Sequence, residues 1–129
     1  MRILGIDYGD RKIGLAFGET DARVAVPLEV IVNDGDKTIE QLRNRIRDEQ
    51  IDFVVVGVPL PQGNHSSEQL QKTRIFIEQL RASVFVPVFE EDESFTTAES
   101  IRLQHEEGTS TDEDALAAML IVQAYIDHL

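Results

Sequence analysis

Residues 3–19 read ILGIDYGDRKIGLAFGE. An apolar run, residues 3–6, ends on the carboxylate of Asp7, and a second apolar run occupies residues 12–17. The linking YGDRK holds the glycine and aspartate that a chain reversal needs, so the stretch predicts two antiparallel strands joined by a short turn. The carboxylate is the unusual part. An ionised group at the tip of a buried strand is expensive unless something neutralises it. Asp7 is either a turn former or part of a site, and its apolar setting favours the site.

The prediction extends outward from this hairpin. Residues 24–32 form a third extended segment, and Pro27 within it implies an edge or a bulge, because proline cannot donate to a central ladder. The first three strands therefore read as an antiparallel meander. The period then changes, with Ile39, Leu42 and Ile46 recurring at helical spacing in residues 38–49. FVVVGVP, residues 53–59, is β-branched without alternation, the pattern of a strand buried on both faces. A polar loop over residues 60–67 leads to a helix with Leu70, Phe76, Ile77 and Leu80 inward. VFVPVF, residues 84–89, predicts a fifth strand. Residues 96–106 and 113–128 predict two more helices, the second burying Ala115, Ala118, Val122 and Ile126. The expected fold class is α/β, a single domain over residues 1–129. Its five-stranded mixed sheet has three antiparallel strands followed by two parallel ones, with helices on both faces. Ligands of such sheets bind beyond the carboxyl ends of the parallel strands.

Composition narrows the classes. At 129 residues, 42% hydrophobic and 28% charged, the chain suits one globular core. Cysteine is absent, which excludes disulfides and thiolate metal sites and points to the cytoplasm. No apolar stretch approaches the roughly eighteen residues of a membrane span, and no basic-then-apolar leader is present, so no membrane partner is expected. His65, His105 and His128 are scattered and read as surface residues. The net charge of −12 repels polyanions, but it is regional. Residues 90–114 hold ten acids against Arg102 alone, and the rest of the chain carries a net of only −3.

If the strands pair as expected, Asp7 closes the first, Gly57 closes the fourth, and Asp92 and Glu93 lie just past the fifth. Asp114 opens the final helix and can face the same edge. Clustered carboxylates repel one another unless a cation joins them, and oxygen-only donors select magnesium or manganese. Two such ions serve phosphodiester cleavage. Gly9 and Gly14 would let a substrate backbone approach. Each piece also has a plain reading: Asp92 and Glu93 as solvated loop charge, Asp114 as a first-turn acid favoured by the helix dipole, Thr96 or Thr97 as a helix cap, with Glu99 in capping-box position relative to Thr96.

GIDYGDRKIGLAFGE, VVVGVPL, DESFTT and DALAAMLIVQAYID, in that order, resemble the YqgF-type proteins. These are Holliday-junction-resolvase-like members of the ribonuclease H-like fold, also described as candidate pre-16S ribosomal RNA nucleases. The resemblance covers nearly the whole chain. It implies a five-stranded ribonuclease H-like sheet and a divalent-metal-dependent endonuclease using magnesium or manganese. Asp7, Glu93 and Asp114 would be its catalytic and metal-holding acids. The family also offers Thr97 and the loop from Gly57 to Pro59 as positions lining the substrate, structured RNA or branched DNA, and Gly9 and the surviving bases Arg11 and Lys12 of the first turn join them as candidate substrate contacts. Two departures stand out. Ser94 occupies the place of an arginine, and GTSTDED precedes Ala115 where the family carries a lysine. Both remove cations from the path of a phosphate backbone.

Other bases remain: Arg43, Arg45 and Arg47 on the first helix, and Lys72, Arg74 and Arg81 on the second. The competing readings are a non-catalytic binding or assembly module of the same fold, favoured by the acidity, and a sugar-kinase or actin-like ATPase. The length argues against the ATPase, because those proteins repeat the fold twice.

Overall fold

The computed structural model describes residues 1–59, 67–93 and 113–129. Its elements are β1 (Arg2–Asp7), β2 (Lys12–Glu19), β3 (Val24–Val32), α1 (Asp36–Asp48), β4 (Phe53–Pro59), α2 (Ser67–Ser83), β5 (Val88–Glu93) and α3 (Glu113–Asp127). They form one mixed sheet in the order β3-β2-β1-β4-β5. β2 pairs antiparallel with β1 and with β3, while β4 runs parallel to β1 and β5 parallel to β4. The antiparallel meander followed by α/β crossovers is thus the architecture the sequence pattern predicts.

Strand alternation distributes the core over both faces. Leu4, Ile6, Val54, Val56 and Val58 meet Leu42 and Ile46 of α1 and Phe76, Ile77 and Leu80 of α2. Ile3, Phe53 and Val55 meet Ala118, Ile121, Val122 and Ile126 of α3. The unbroken valine run of β4 follows from this, since neighbouring valines bury against opposite layers. β3 forms one edge, and its pairing with β2 shifts register between Leu15 and Ala16, where Pro27 sits opposite Ala16. Proline therefore falls on an edge strand at a bulge, the place where its missing N–H does least harm.

The fifth strand differs from expectation. It begins at Val88 and runs through Glu93, so Asp92 and Glu93 lie within it and residues 84–87 do not. The Val84 N–H still closes the end of α2 on the Leu80 carbonyl at 3.1 Å, and the ladder starts only where Val54 pairs Val88. Pro87 has no N–H to give the ladder, so pairing begins after it. At the sheet edge, acidic side chains reach water, and apolarity is therefore a poor marker of the strand. The helix expected over residues 96–106 lies outside the described residues. Among the described residues, no helix is long and apolar enough to cross a membrane.

Candidate active site at the carboxyl edge of the sheet

Alternation along β1 decides where Asp7 points. Ile3 packs under α3, and a Cβ added to Gly5 would lie 2.1 Å from Val122 Cγ2, so odd positions of this strand face α3. Asp7 shares that face and is 6% exposed. Its cross-strand partner is Gly14. A Cβ on Gly14 would fall 1.9 Å from the Asp114 carbonyl oxygen and 2.9 Å from the Ala115 nitrogen. The first turn of α3 therefore rests directly on the β2 backbone opposite Asp7, a seat that only a residue without a side chain provides.

β5 obeys the same parity. Phe89 meets Phe53 edge-on at 5.5 Å and stacks with Tyr125 of α3 at 5.9 Å. Glu91 reaches His128 at 3.5 Å between Oε2 and Nδ1. Glu93, two residues further, also faces α3, and a Cβ on Gly57 would lie 3.1 Å from its Cγ and 2.3 Å from Ile121 Cδ1. Pro59 pairs with Glu93 at the end of β4. Asp7, Glu93 and Asp114 thus occupy one face at one edge of the sheet, carried by β1, β5 and the start of α3. Glu90 goes to the opposite face, 3.9 Å from Arg74 and 3.8 Å from Arg81 of α2. Among the described residues, no three His, Cys, Asp or Glu side chains are gathered closely enough to hold a metal ion.

Two of these glycines lie against the protein's own backbone. Gly14 seats α3, and a Cβ on Gly9 would meet the Lys12 carbonyl at 2.6 Å within the hairpin turn. That turn has a fastening that sequence reasoning missed. Asn33 Nδ2 donates to the Gly9 carbonyl at 2.8 Å, and the Asn33 N–H donates to the Arg11 carbonyl at 2.8 Å. Only the return of β3 beside β2 brings Asn33 there, so local sequence carries no signal for it.

The bases do not form one face. Arg45 is tied to Glu29, while Arg74 and Arg81 are tied to Glu90. Arg81 also donates to the Val88 carbonyl at 2.8 and 3.2 Å. Arg11 and Lys12 are exposed in the hairpin turn beside Asp7. Lys72 approaches the same turn, 3.3 Å from Glu68 and 3.4 Å from Asp10, and these two carboxylates raise its pKa. Burial raises the pKa of Glu91, while the charge of His128 works in the other direction. Ser94 and Thr97 lie outside the described residues.

This sheet order, with carboxylates at the parallel-strand ends, defines a ribonuclease H-like protein. The chain superposes on Thermus thermophilus RuvC solved with a Holliday junction substrate at a TM-score of 0.63 and 17% identity, covering 99% of this chain and 96% of that one. It matches the fowlpox virus resolvase, solved with junction DNA, at 0.61 and 13% identity, covering 99% and 98%. At such identities these structures establish the fold alone. Closer in sequence is a Sulfurihydrogenibium protein named "Putative pre-16S rRNA nuclease". It is 35% identical over 133 residues, spanning 99% of this chain and 91% of the relative. A Polaromonas protein of the same name is 33% identical over 126 residues, spanning 98% and 88%. The family model described as RuvX, Holliday junction resolvase, matches residues 1–128, and the chain belongs to that family.

Proposed function

We infer that this protein is a divalent-metal-dependent endonuclease cutting structured nucleic acid, with Asp7, Glu93 and Asp114 as its metal-holding carboxylates. The seat of α3 carries the reading. With Gly14 pressed against the Asp114 backbone and paired across the ladder with Asp7, two carboxylate-bearing segments from opposite ends of the chain share one corner of the sheet. Precursor 16S rRNA is the favoured substrate. The Sulfurihydrogenibium and Polaromonas relatives bearing that name are 35% and 33% identical over nearly the full chain, whereas the proteins solved with junction DNA are related in fold.

In its chemistry the donor set suits a hard cation, being all carboxylate oxygen with one member almost fully buried, although the three side chains are not drawn together in this structure. When bound, magnesium or manganese generates the nucleophile from water and stabilises charge on the departing oxygen. The chain's own residues do the rest. Asp7, locked by strand pairing and burial, is the rigid anchor. Glu93 and Asp114 come from two other elements, β5 and the start of α3, and a cation would draw the three together. Arg11 and Lys12, exposed on the neighbouring turn, hold the substrate phosphates by charge. Gly9 in that turn and Gly57 and Pro59 at the end of β4 border the path, and Thr97 is kept as a further candidate contact.

The test is cleavage in manganese of an RNA carrying the 5′ flank of 16S rRNA, beside a four-way DNA junction. The native chain should cut the RNA, and Asp7→Asn, Glu93→Gln and Asp114→Asn should each lose the activity while remaining folded. Cleavage retained by Asp7→Asn removes it from the site. Failure of the native chain on both substrates makes the protein a non-catalytic binding module.

A further inference from the structure

The amino ends of the parallel strands carry a second feature, unrelated to the carboxylates. It lies a strand length away, roughly 20 Å for the seven residues of β4. There the end of α1 and the connection from α2 to β5 enclose a groove of 370 Å³. Its floor is aliphatic, built from Ile46, Ile51, Val84 and Val86. Phe85 stands on its rim with its whole side chain in water, at 105% relative exposure. An aromatic ring wholly in solvent beside an apolar groove is uncommon for a surface that meets only water.

Two further observations indicate what the groove takes. Arg43 and Arg47, one helical turn apart on α1, line it and are exposed. Among the described residues, Arg47 pairs only with its chain neighbour Asp48 and Arg43 makes no ion pair. In a chain of net charge −12 this is a local positive site. Gln50, also in the lining, is the second observation. α1 ends in a Schellman turn, with Gln50 N–H on the Arg47 carbonyl at 3.2 Å and Ile51 N–H on the Ile46 carbonyl at 3.0 Å. The turn requires a left-handed residue, and Gln50 adopts φ of 54° where glycine would be at ease. The left-handed residue thus lies in the lining of the groove.

We propose that this end of the sheet docks an acidic peptide segment of a partner protein, its apolar side chain seated on Ile46, Ile51, Val84 and Val86 against Phe85, its carboxylates paired with Arg43 and Arg47. Arginine forks match carboxylates in two-point geometry, and an aromatic with arginines is the usual composition of an interface centre. A nucleic acid fits less well. The floor is concave and aliphatic rather than a flat stacking platform.

The experiment selects a library of short random peptides on the full chain and measures the enriched peptides by fluorescence anisotropy. Enriched sequences should combine Leu or Phe with Asp or Glu. Phe85→Ser and the double variant Arg43→Glu/Arg47→Glu should each weaken binding about tenfold or more. Both changes lie on exposed side chains, and unchanged melting temperatures would show the fold intact. Enriched peptides without acids, or affinity unmoved by Phe85→Ser, overturns the proposal. So does a labelled single-stranded RNA whose binding is lost in Phe85→Ser, which would make the groove a nucleic-acid site. Concentration-dependent dimerisation abolished by Phe85→Ser would likewise replace the partner with a second copy.

Discussion

The two faces of the sheet are built from different materials. Toward α1 and α2 the strands present Leu4, Ile6, Leu15, Val54 and Val56, met by leucine, isoleucine and phenylalanine. Toward α3 they alternate Ile3, Phe53 and Val55 with Gly5, Gly14, Gly18 and Gly57, met by Asp114, Ala118, Ile121 and Val122. Bulky side chains hold a helix at a normal distance from a sheet, whereas glycines let it settle onto the backbone. The first face supplies the transferable burial that stabilises the fold. The second gives up some of that burial and sets the start of α3, with its acid, at a fixed height beside the strand that carries Asp7.

If that division is right, damage to the faces should separate. Leu80, fully buried on the first face, should lose about 2–5 kcal/mol of stability on conversion to alanine. Its response to manganese should survive in the fraction that remains folded. A loss of that response at a temperature where Leu80→Ala is folded would show that the faces are not independent. Gly14→Ala should cost less, about 1–3 kcal/mol from overpacking, yet abolish the response, because the new methyl overlaps the Asp114 carbonyl and must push α3 away. An unaltered response in Gly14→Ala would mean that the seat of α3 does not set the site.

The smallest effect concerns Glu91, on the α3 face next to Glu93. Burial raises its folded pKa above the ordinary 4.5, so the folded state binds the proton more tightly than the unfolded chain does. Its ionisation therefore opposes folding, by an amount that is absent below pH 4.5 and fully present above the raised value. Glu91→Gln should raise the melting temperature slightly at neutral pH and leave it unchanged at acid pH, as read from paired thermal melts. A destabilisation at neutral pH would mean that the contact with His128 outweighs the burial.

Much of this architecture is legible in the order of residues, and the exceptions have physical causes. Asp7 could be singled out because a lone carboxylate ends an apolar run, and the buried face of α3 because Ala115, Ala118, Val122 and Ile126 repeat at helical spacing. The fifth strand was misplaced because its apolar half, residues 84–86, feeds a groove and leaves Phe85 exposed, while its acidic half makes the ladder. Gly14 was legible as a close approach, but which backbone approaches depends on a helix a hundred residues away. The sorting of the arginines, some spent on Glu29 and Glu90 and others left at the far groove, exists only once the helices are docked.

The central claim is that Asp7, Glu93 and Asp114 act together on one cation, and thermal unfolding at fixed ionic strength tests it most directly. Manganese should raise the melting temperature of the native chain, since a ligand that binds only the folded state stabilises it by mass action. Asp7→Asn, Glu93→Gln and Asp114→Asn should each remove most of that rise. A rise of equal size in all four proteins, or one reproduced by sodium chloride at the same ionic strength and hence due to screening alone, would contradict it.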